Sequence, residues 1–295
     1  MPIISYEIRG RFGNNLFQYY ATQVLMKLLN EFDGKYEKYE FKYRNEITSS
    51  HPDLDLTPNG YIKIEDDKFL QYYRQLKNKK YPKELRGKNI WMFGFYQFYD
   101  FLKDNMDFVQ SLFSVDNKDH INDQISMDQF AYQIKVENCP STNNNNESEN
   151  VLYLHTRLDD FLQYGHNNNI ISFPSYVTLI KDSIIKENPH IDTVIIVVDK
   201  IRRDFEAYYL TNFIKEITNI PMKCSYHSGN MWQDFAMLYY AKNLVCSNST
   251  FCWWAGLLGD SFQNWFPDTM KYNENQQFNK LNDKTKVFKV AYWRD

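Results

Sequence analysis

Residues 151–161 place a short apolar run, Val151-Leu152-Tyr153-Leu154, directly before His155, Arg157, Asp159 and Asp160. The run reads as a buried strand. In an open α/β sheet, ligands gather beyond the carboxyl ends of the strands. A strand closed by His-x-Arg therefore sets a titratable ring and a fixed cation at that edge. Arg157 has the planar fork that makes bidentate, charge-assisted bonds to a phosphate. An Arg paired with Asp159 or Asp160, beside a satisfied core His155, accounts for the same residues about as well. A second segment, Ser247-Asn248-Ser249-Thr250-Phe251-Cys252-Trp253-Trp254, follows an apolar strand and opens a helix. Its hydroxyls, the free N–H groups of a first helical turn and the positive end of the helix dipole together suit an anion such as a pyrophosphate. Simple N-capping explains Ser249 and Thr250 equally well. It does not explain the Trp pair, for which core packing is the alternative.

Two further groups carry less information by themselves. Gly10-Arg11-Phe12-Gly13-Asn14 lies between a strand and a helix. Its glycines, Gly13 included, let the backbone turn tightly and approach a ligand, and Arg11 offers a guanidinium at the turn. By pattern alone it is an ordinary βα connection. Asp234, near the start of another helix, could accept bonds from a guanine edge, although a first-turn acid complementing the helix dipole fits the pattern better. Asp53-Leu54-Asp55 and Asp159-Asp160 look like the acidic pairs of metal-dependent sugar transferases, yet neither comes with further spaced ligands. The six histidines show no HxxxH or HExxH spacing. No metal is expected, and no P-loop or Ser-His-Asp elbow is present.

The elements that must position these residues follow from periodicity. Ile3–Ile8 reads as a strand. Leu16, Phe17, Tyr20, Ala21, Val24, Leu25, Leu28 and Leu29 form the stripe of a helix. Residues 32–88 are polar and Tyr-rich and yield no element, and Trp91–Leu102 is densely aromatic around Gly94. The run from Thr142 to Asn150 contains no apolar residue and reads as a linker, giving domains 1–141 and 151–295. Beyond it, strand and helix alternate: a helix over Ser175–Lys186 with Tyr176, Leu179, Ile180 and Ile184 on one face, an all-apolar strand over Thr193–Val198, helices over Arg202–Ile217 and Met231–Ala241, a strand at Leu244–Cys246, and a buried helix over Ser249–Leu258 stopped by Gly259. Such alternation predicts a doubly wound parallel sheet.

The chain has 295 residues, 43% of them hydrophobic, enough for two small cores. A net charge of −3 gives no sign of a nucleic-acid surface. Its 23 Tyr and 22 Phe would suit a sugar or nucleotide ligand, but core packing accounts for most of them. The four cysteines form no CxxC. Cys246 and Cys252 are expected as reduced core thiols, which suits a cytoplasmic, soluble protein. No apolar run reaches 18 residues, so no membrane span is expected. On that reading the sequons at Asn146 and Asn248 are not glycosylation sites.

Four segments, in order, resemble the fucosyltransferases of glycosyltransferase family 11, the α-1,2-fucosyltransferases, and more distantly protein O-fucosyltransferases and α-1,6-fucosyltransferases. Gly10-Arg11-Phe12-Gly13-Asn14-Asn15-Leu16-Phe17-Gln18-Tyr19 is similar to the family's Gly-Gly-Leu-Gly-Asn-Gln-Met-Phe-Gln-Tyr, and Gly94-Phe95-Tyr96-Gln97 to its Gly-Tyr-Phe-Gln. His155-Thr156-Arg157-Leu158-Asp159-Asp160-Phe161 resembles His-Ile-Arg-Arg-Gly-Asp-Tyr. Asp234 followed by Ala236-Met237-Leu238, then Ser247-Asn248-Ser249-Thr250-Phe251-Cys252-Trp253-Trp254, resembles the family's Asp-x-x-x-Met and Asn-Ser-Ser-Phe-Ser-Trp-Trp block. The resemblance implies a GT-B-like α/β fold of two Rossmann-like domains with the donor site in the C-terminal one. It implies inverting, metal-independent transfer of L-fucose from GDP-fucose to a galactose-containing glycan by a soluble microbial or virus-encoded enzyme. Carried over by position, Arg157 would hold the β-phosphate, His155 would contact the donor, and Ser249, Thr250 and Phe251 would bind the pyrophosphate. Asp234 would bind the guanine, Gly13 would lie against the donor, and Arg11 and Asn14 would face the reacting sugar or acceptor. Asp160 is the candidate base. Two departures, Leu158 for an Arg and Asp159 for a Gly, keep open another nucleotide sugar or a catalytically silent nucleotide-sugar or glycan binder on the same scaffold.

Overall fold

The computed structural model describes residues 1–32, 36, 38–42, 61–113, 149–158, 161–162, 169–198, 204–220, 222–227, 231–259, 261–268 and 285–292. The chain divides into two compact units, Met1–Leu112 and Phe113–Asp295. Each is built on an all-parallel sheet, so the α/β expectation holds. All but residues 149–150 of the expected linker, 142–150, lies outside the described residues.

The N-terminal unit runs β1 (Ile3–Tyr6), α1 (Phe12–Asn30), β2 (Glu40–Phe41), β3 (Tyr61–Ile64), α2 (Asp66–Lys77), β4 (Asn89–Met92), α3 (Tyr99–Asp104) and α4 (Met106–Leu112). The sheet order is β2-β1-β4-β3. Parallel strands covered on both faces are apolar through most of their length. Ile4, Tyr6, Ile90, Trp91 and Met92 are all buried. Helix α1 buries Leu16, Phe17, Tyr20, Ala21, Val24, Leu25 and Leu29 as its stripe requires, leaving Leu28 at the margin.

The segment 32–88, expected to hold no element, contributes β2, β3 and α2. Helix α2 buries Phe69, Tyr72, Tyr73 and Leu76 at helical spacing. Tyrosine hid this pattern. It reads as polar in sequence, but a buried Tyr whose hydroxyl is bonded packs as an apolar ring. The Tyr73 hydroxyl donates to Asp104 Oδ2 at 2.7 Å, which lets the ring sit in the core.

The C-terminal unit runs β5 (Val151–Thr156), α5 (Phe173–Leu179), β6 (Thr193–Val198), α6 (Asp204–Thr218), β7 (Lys223–His227), α7 (Met231–Tyr239), β8 (Asn243–Val245), α8 (Thr250–Leu258), β9 (Gln263–Pro267) and β10 (Thr285–Phe288). The helix expected over Ser175–Lys186 starts two residues earlier, with Pro174 in its first turn, and passes through one π turn at Ile180–Ile184 before a last short turn to Glu187. Tyr176, Leu179, Ile180 and Ile184 are all buried. Numbering strands from β5, the sheet order β10-β9-β8-β5-β6-β7 reads 3-2-1-4-5-6 from its other edge, the doubly wound order that reverses between β5 and β8.

Gly259 ends α8 for a reason other than the left-handed cap its type suggests. Its backbone is extended, φ −84° and ψ 174°. A Cβ there would lie 2.2 Å from the Tyr239 carbonyl oxygen and 2.7 Å from that of Ala255. Gly259→Ala must therefore push α7 and α8 apart. Chemical denaturation should show a loss of about 1–3 kcal/mol, and a variant as stable as the parent would exclude this close approach.

Cys246 and Cys252 are joined in a disulfide with Cα atoms 5.7 Å apart, which corrects the expectation of reduced thiols. Disulfides persist chiefly in oxidising compartments, so the cysteines no longer argue for a cytoplasmic setting. Cys224 is a free thiol, pushed up to about 11 by burial. No described helix is long and apolar enough to cross a membrane.

Candidate functional site

Strands β5 and β8 are neighbours, with Leu152 opposite Asn243 and Leu154 opposite Val245. Their carboxyl ends therefore finish side by side at the reversal of strand order, where an open sheet leaves a crevice because its connections leave to opposite faces. His155 and Ser247 meet there, sharing a hydrogen bond of 2.8 Å between Nδ1 and Oγ. His155 is 3% exposed. Its ring stands 5.8 Å from Phe251, which lies 5.2 Å from Phe235 on α7. Asp234, next to Phe235, is buried in the first turn of α7. Three of the predicted groups, from β5, α7 and the β8–α8 turn, thus share one neighbourhood.

The turn Ser247–Thr250 is held on several sides. The Asn248 side-chain amide donates to the Asn169 carbonyl at 2.8 Å, and the Cys246–Cys252 disulfide closes the turn covalently. Ser249 is the N-cap residue of α8, with φ −121° and ψ 126°. Its hydroxyl makes no capping bond, so the capping account of this serine fails. Ser249 and Thr250 are both buried, and the Trp253 N–H bonds the Ser249 carbonyl at 3.0 Å. The Trp pair is core: Trp253 and Trp254 are fully buried, edge to face at 5.1 Å. Asn248 is buried as well, so its sequon is inaccessible in the folded protein.

Arg157 lies one residue beyond β5, half-buried, with its guanidinium 4.4 Å from the centre of the Phe161 ring. Stacking on an aromatic face orients the guanidinium plane. Asp159 and Asp160, including the candidate base, lie outside the described residues. Leu158, one of the two departures from the family pattern, is fully buried in the core of this unit with Leu152, Leu154 and Val245. Its side chain faces the interior, so its lost charge is not a charge lost from the ligand edge.

In the N-terminal unit β1 and β4 are neighbours, so the turns that follow them lie side by side. Arg11 is the exposed N-cap residue of α1, and its carbonyl accepts the N–H groups of Asn14 at 2.9 Å and Asn15 at 3.1 Å. Gly13 is buried in the first turn. Gly10 has φ +74°, and a Cβ there would lie 2.4 Å from Asn14 Nδ2, so this turn requires glycine twice over. The Gln97 side-chain amide donates to Asn14 Oδ1 at 2.7 Å, joining the turns after β1 and β4. Gln18 donates to the Gly94 carbonyl at 3.0 Å and accepts the Arg9 N–H at 3.1 Å. The Arg9 guanidinium stands 4.4 Å from the Phe93 ring centre and 5.2 Å from that of Phe95. Among the aromatics of 91–102, Trp91, Tyr96, Phe98 and Phe101 are core.

Sequence reasoning did not find Ser247 as the partner of His155, or the disulfide. Ser247 could have been found from its place one residue beyond Cys246 at the end of an apolar run. Among the described residues, no three His, Cys, Asp or Glu converge as a metal-ligand set.

No protein-family model matches the chain, and no curated protein sequence matches it. Among solved structures, the chain is similar to a mutant of Arabidopsis thaliana FUT1 in complex with GDP, with a TM-score of 0.48 and 11% identity over 90% of this chain and 70% of that one. It is also similar to E. coli ADP-heptose LPS heptosyltransferase II, with a TM-score of 0.41 and 11% identity over 98% of this chain and 90% of that one.

Proposed function

We propose that the chain is a glycosyltransferase of GT-B-like architecture whose C-terminal unit binds a nucleotide sugar, GDP-fucose, and that it moves L-fucose with inversion to a hydroxyl of a galactose-containing glycan. The observation that carries the reading is the meeting of β5 and β8 at the strand reversal. There the His155–Ser247 bond, the start of α8 and Arg157 occupy the ends of adjoining turns. The four motifs that resemble the fucosyltransferases supply the donor and acceptor.

The chemistry asks for fixed positive charge. Breaking a glycosyl–phosphate bond leaves positive character on the sugar ring and negative charge on the departing diphosphate. Donors already aimed at that charge lower the barrier, since they need no reorganisation as it develops. In this reading Arg157 takes the β-phosphate, and the first N–H groups of α8 with the hydroxyls of Ser249 and Thr250 take the remaining oxygens. Phe251 packs His155 against the donor, and Asp234 accepts from guanine N–H groups. Arg157 supplies the charge that a divalent cation supplies in metal-dependent transferases. Arg11, Gly13 and Asn14 serve the reacting sugar and acceptor. The acceptor hydroxyl must also lose a proton; Asp160 remains the candidate from sequence.

Thermal-shift titration without metal tests the donor. A ligand binding only the folded state adds about 2.7 kcal/mol at a hundred times its Kd. GDP and GDP-fucose should raise the melting temperature, while UDP and UDP-sugars should leave it unchanged. Stabilisation by UDP species would replace the donor, and no shift with any nucleotide would leave only a silent scaffold.

A further inference from the structure

Helix α2 begins at Asp66, directly after β3, and β3 lies beside β4. The Asp66 carboxylate reaches across to the turn that follows β4. It accepts the Phe95 N–H at 3.1 Å (Oδ1) and 3.3 Å (Oδ2), and the Tyr96 N–H at 2.6 Å (Oδ1). Consecutive backbone N–H groups converge on one carboxylate only if the chain turns sharply there, and Tyr96 does so with φ +51°, a left-handed conformation uncommon for a non-glycine residue. Its hydroxyl donates to the Ile64 carbonyl at 2.6 Å, fixing the ring at the end of β3. Gly94 fits beside this carboxylate because it has no side chain: a Cβ there would lie 2.8 Å from Asp66 Oδ2. The turn so formed delivers Gln97, 8% exposed, to Asn14.

We propose that Asp66 is a positioning residue for Asn14. It acts by clamping Gly94–Gln97 so that Gln97 holds the Asn14 amide with Oδ1 occupied and Nδ2 over Gly10. An amide held at its oxygen keeps one orientation, whereas a rotating one exchanges donor and acceptor. This rests on the reading of Asn14 as a group that serves the reacting sugar or acceptor. Asp66 touches neither, which is why a merely structural account must be separable from it.

The test uses the full chain with Asp66→Ala, Asp66→Asn and Gln97→Ala. Turnover is read as GDP release from GDP-fucose with lactose as acceptor, and GDP affinity is read by thermal shift. Asp66→Ala and Gln97→Ala should each lower kcat about ten-fold or more, with GDP affinity within two-fold of the parent. Asp66→Asn keeps an acceptor oxygen for the Tyr96 N–H and should recover most of the loss. Because both residues act on one group, the double variant should be no worse than the poorer single one. Gln97→Ala leaves the clamp in place and tests the contact through which Asp66 acts, while Asp66→Asn tests Asp66 itself where Asp66→Ala misfolds. In isotope-labelled protein, the Asn14 side-chain amide signal should shift in both alanine variants. An unmoved signal, an unchanged kcat for Gln97→Ala, or multiplicative losses in the double variant would each overturn the proposal. A parent protein that binds no GDP would sink the transferase reading instead, and the Asn14 signal would still decide whether Asp66 holds Asn14.

Discussion

On the proposed transferase reading, Arg157→Ala should abolish sugar transfer while the C-terminal unit stays folded. Arg157 lies beyond the last residue of β5, so its side chain is no part of the sheet, and its described contact is the stacking on Phe161 at 4.4 Å. Losing a partly buried cation–π contact costs about 1–2 kcal/mol, small against the stability of a domain. Losing the charge aimed at a departing diphosphate costs far more. Deleting one preorganised donor of this kind typically lowers kcat by about 10²–10³, roughly 3–4 kcal/mol. Arg157→Lys keeps the charge but not the bidentate fork, so its rate should fall between the two. The measurement is GDP release from GDP-fucose beside a thermal melt of each variant. An Arg157→Ala protein that turns over near the parent rate would remove this residue, and with it the donor site as drawn.

Breaking the Cys246–Cys252 link is expected to cost both stability and donor affinity. The two cysteines are six positions apart, and closing so short a loop contributes about 2 kcal/mol through the unfolded chain. For a unit of this size that amounts to a fall of roughly 4–8 °C in melting temperature. The functional cost comes from what the loop contains, namely Ser247, Ser249, Thr250 and Phe251. Opened, the turn must be ordered by the ligand at the moment of binding, and that cost appears as weaker affinity. Cys252→Ser should therefore lower the melting temperature and weaken GDP binding together. Non-reducing mass measurement of the parent is the control. Two free thiols at these positions, with a melt insensitive to reductant, would show that the link does not form in solution.

Patterns of apolar residues announced β5, β6 and β8, whose residues are mostly buried, and the helices of the C-terminal unit, but not β9 or the edge strands β7 and β10, which are largely exposed. Thr193–Val198 needs no context to be recognised as a central strand, and Ser249–Leu258 none as a buried helix. The same logic failed over residues 32–88, where tyrosines form the buried face of α2 and count as core only once their hydroxyls are bonded, as that of Tyr73 is to Asp104. Gly259 was recognised as a helix stop, but its reason, a close approach to the Tyr239 carbonyl, involves two helices at once and has no local signature.

The candidate site divides in the same way. By residue type and spacing alone, the sequence determined that a His-x-Arg closes one strand, that Ser249 and Thr250 open a helix after another, and that a glycine-bracketed turn follows β1. Those are local facts, set by propensity and periodicity over a few residues. Which ends meet was decided only by the tertiary structure. Cys246 and Cys252 could be about 20 Å apart in an extended chain, and the β8–α8 turn brings their Cα atoms to 5.7 Å. His155 and Ser247 are 92 residues apart and share a hydrogen bond because β5 and β8 are neighbours in the sheet. Asp66 reaches Phe95 and Tyr96 because β3 lies beside β4. Strand order depends on which apolar faces bury one another across the whole chain, so no window of sequence contains it.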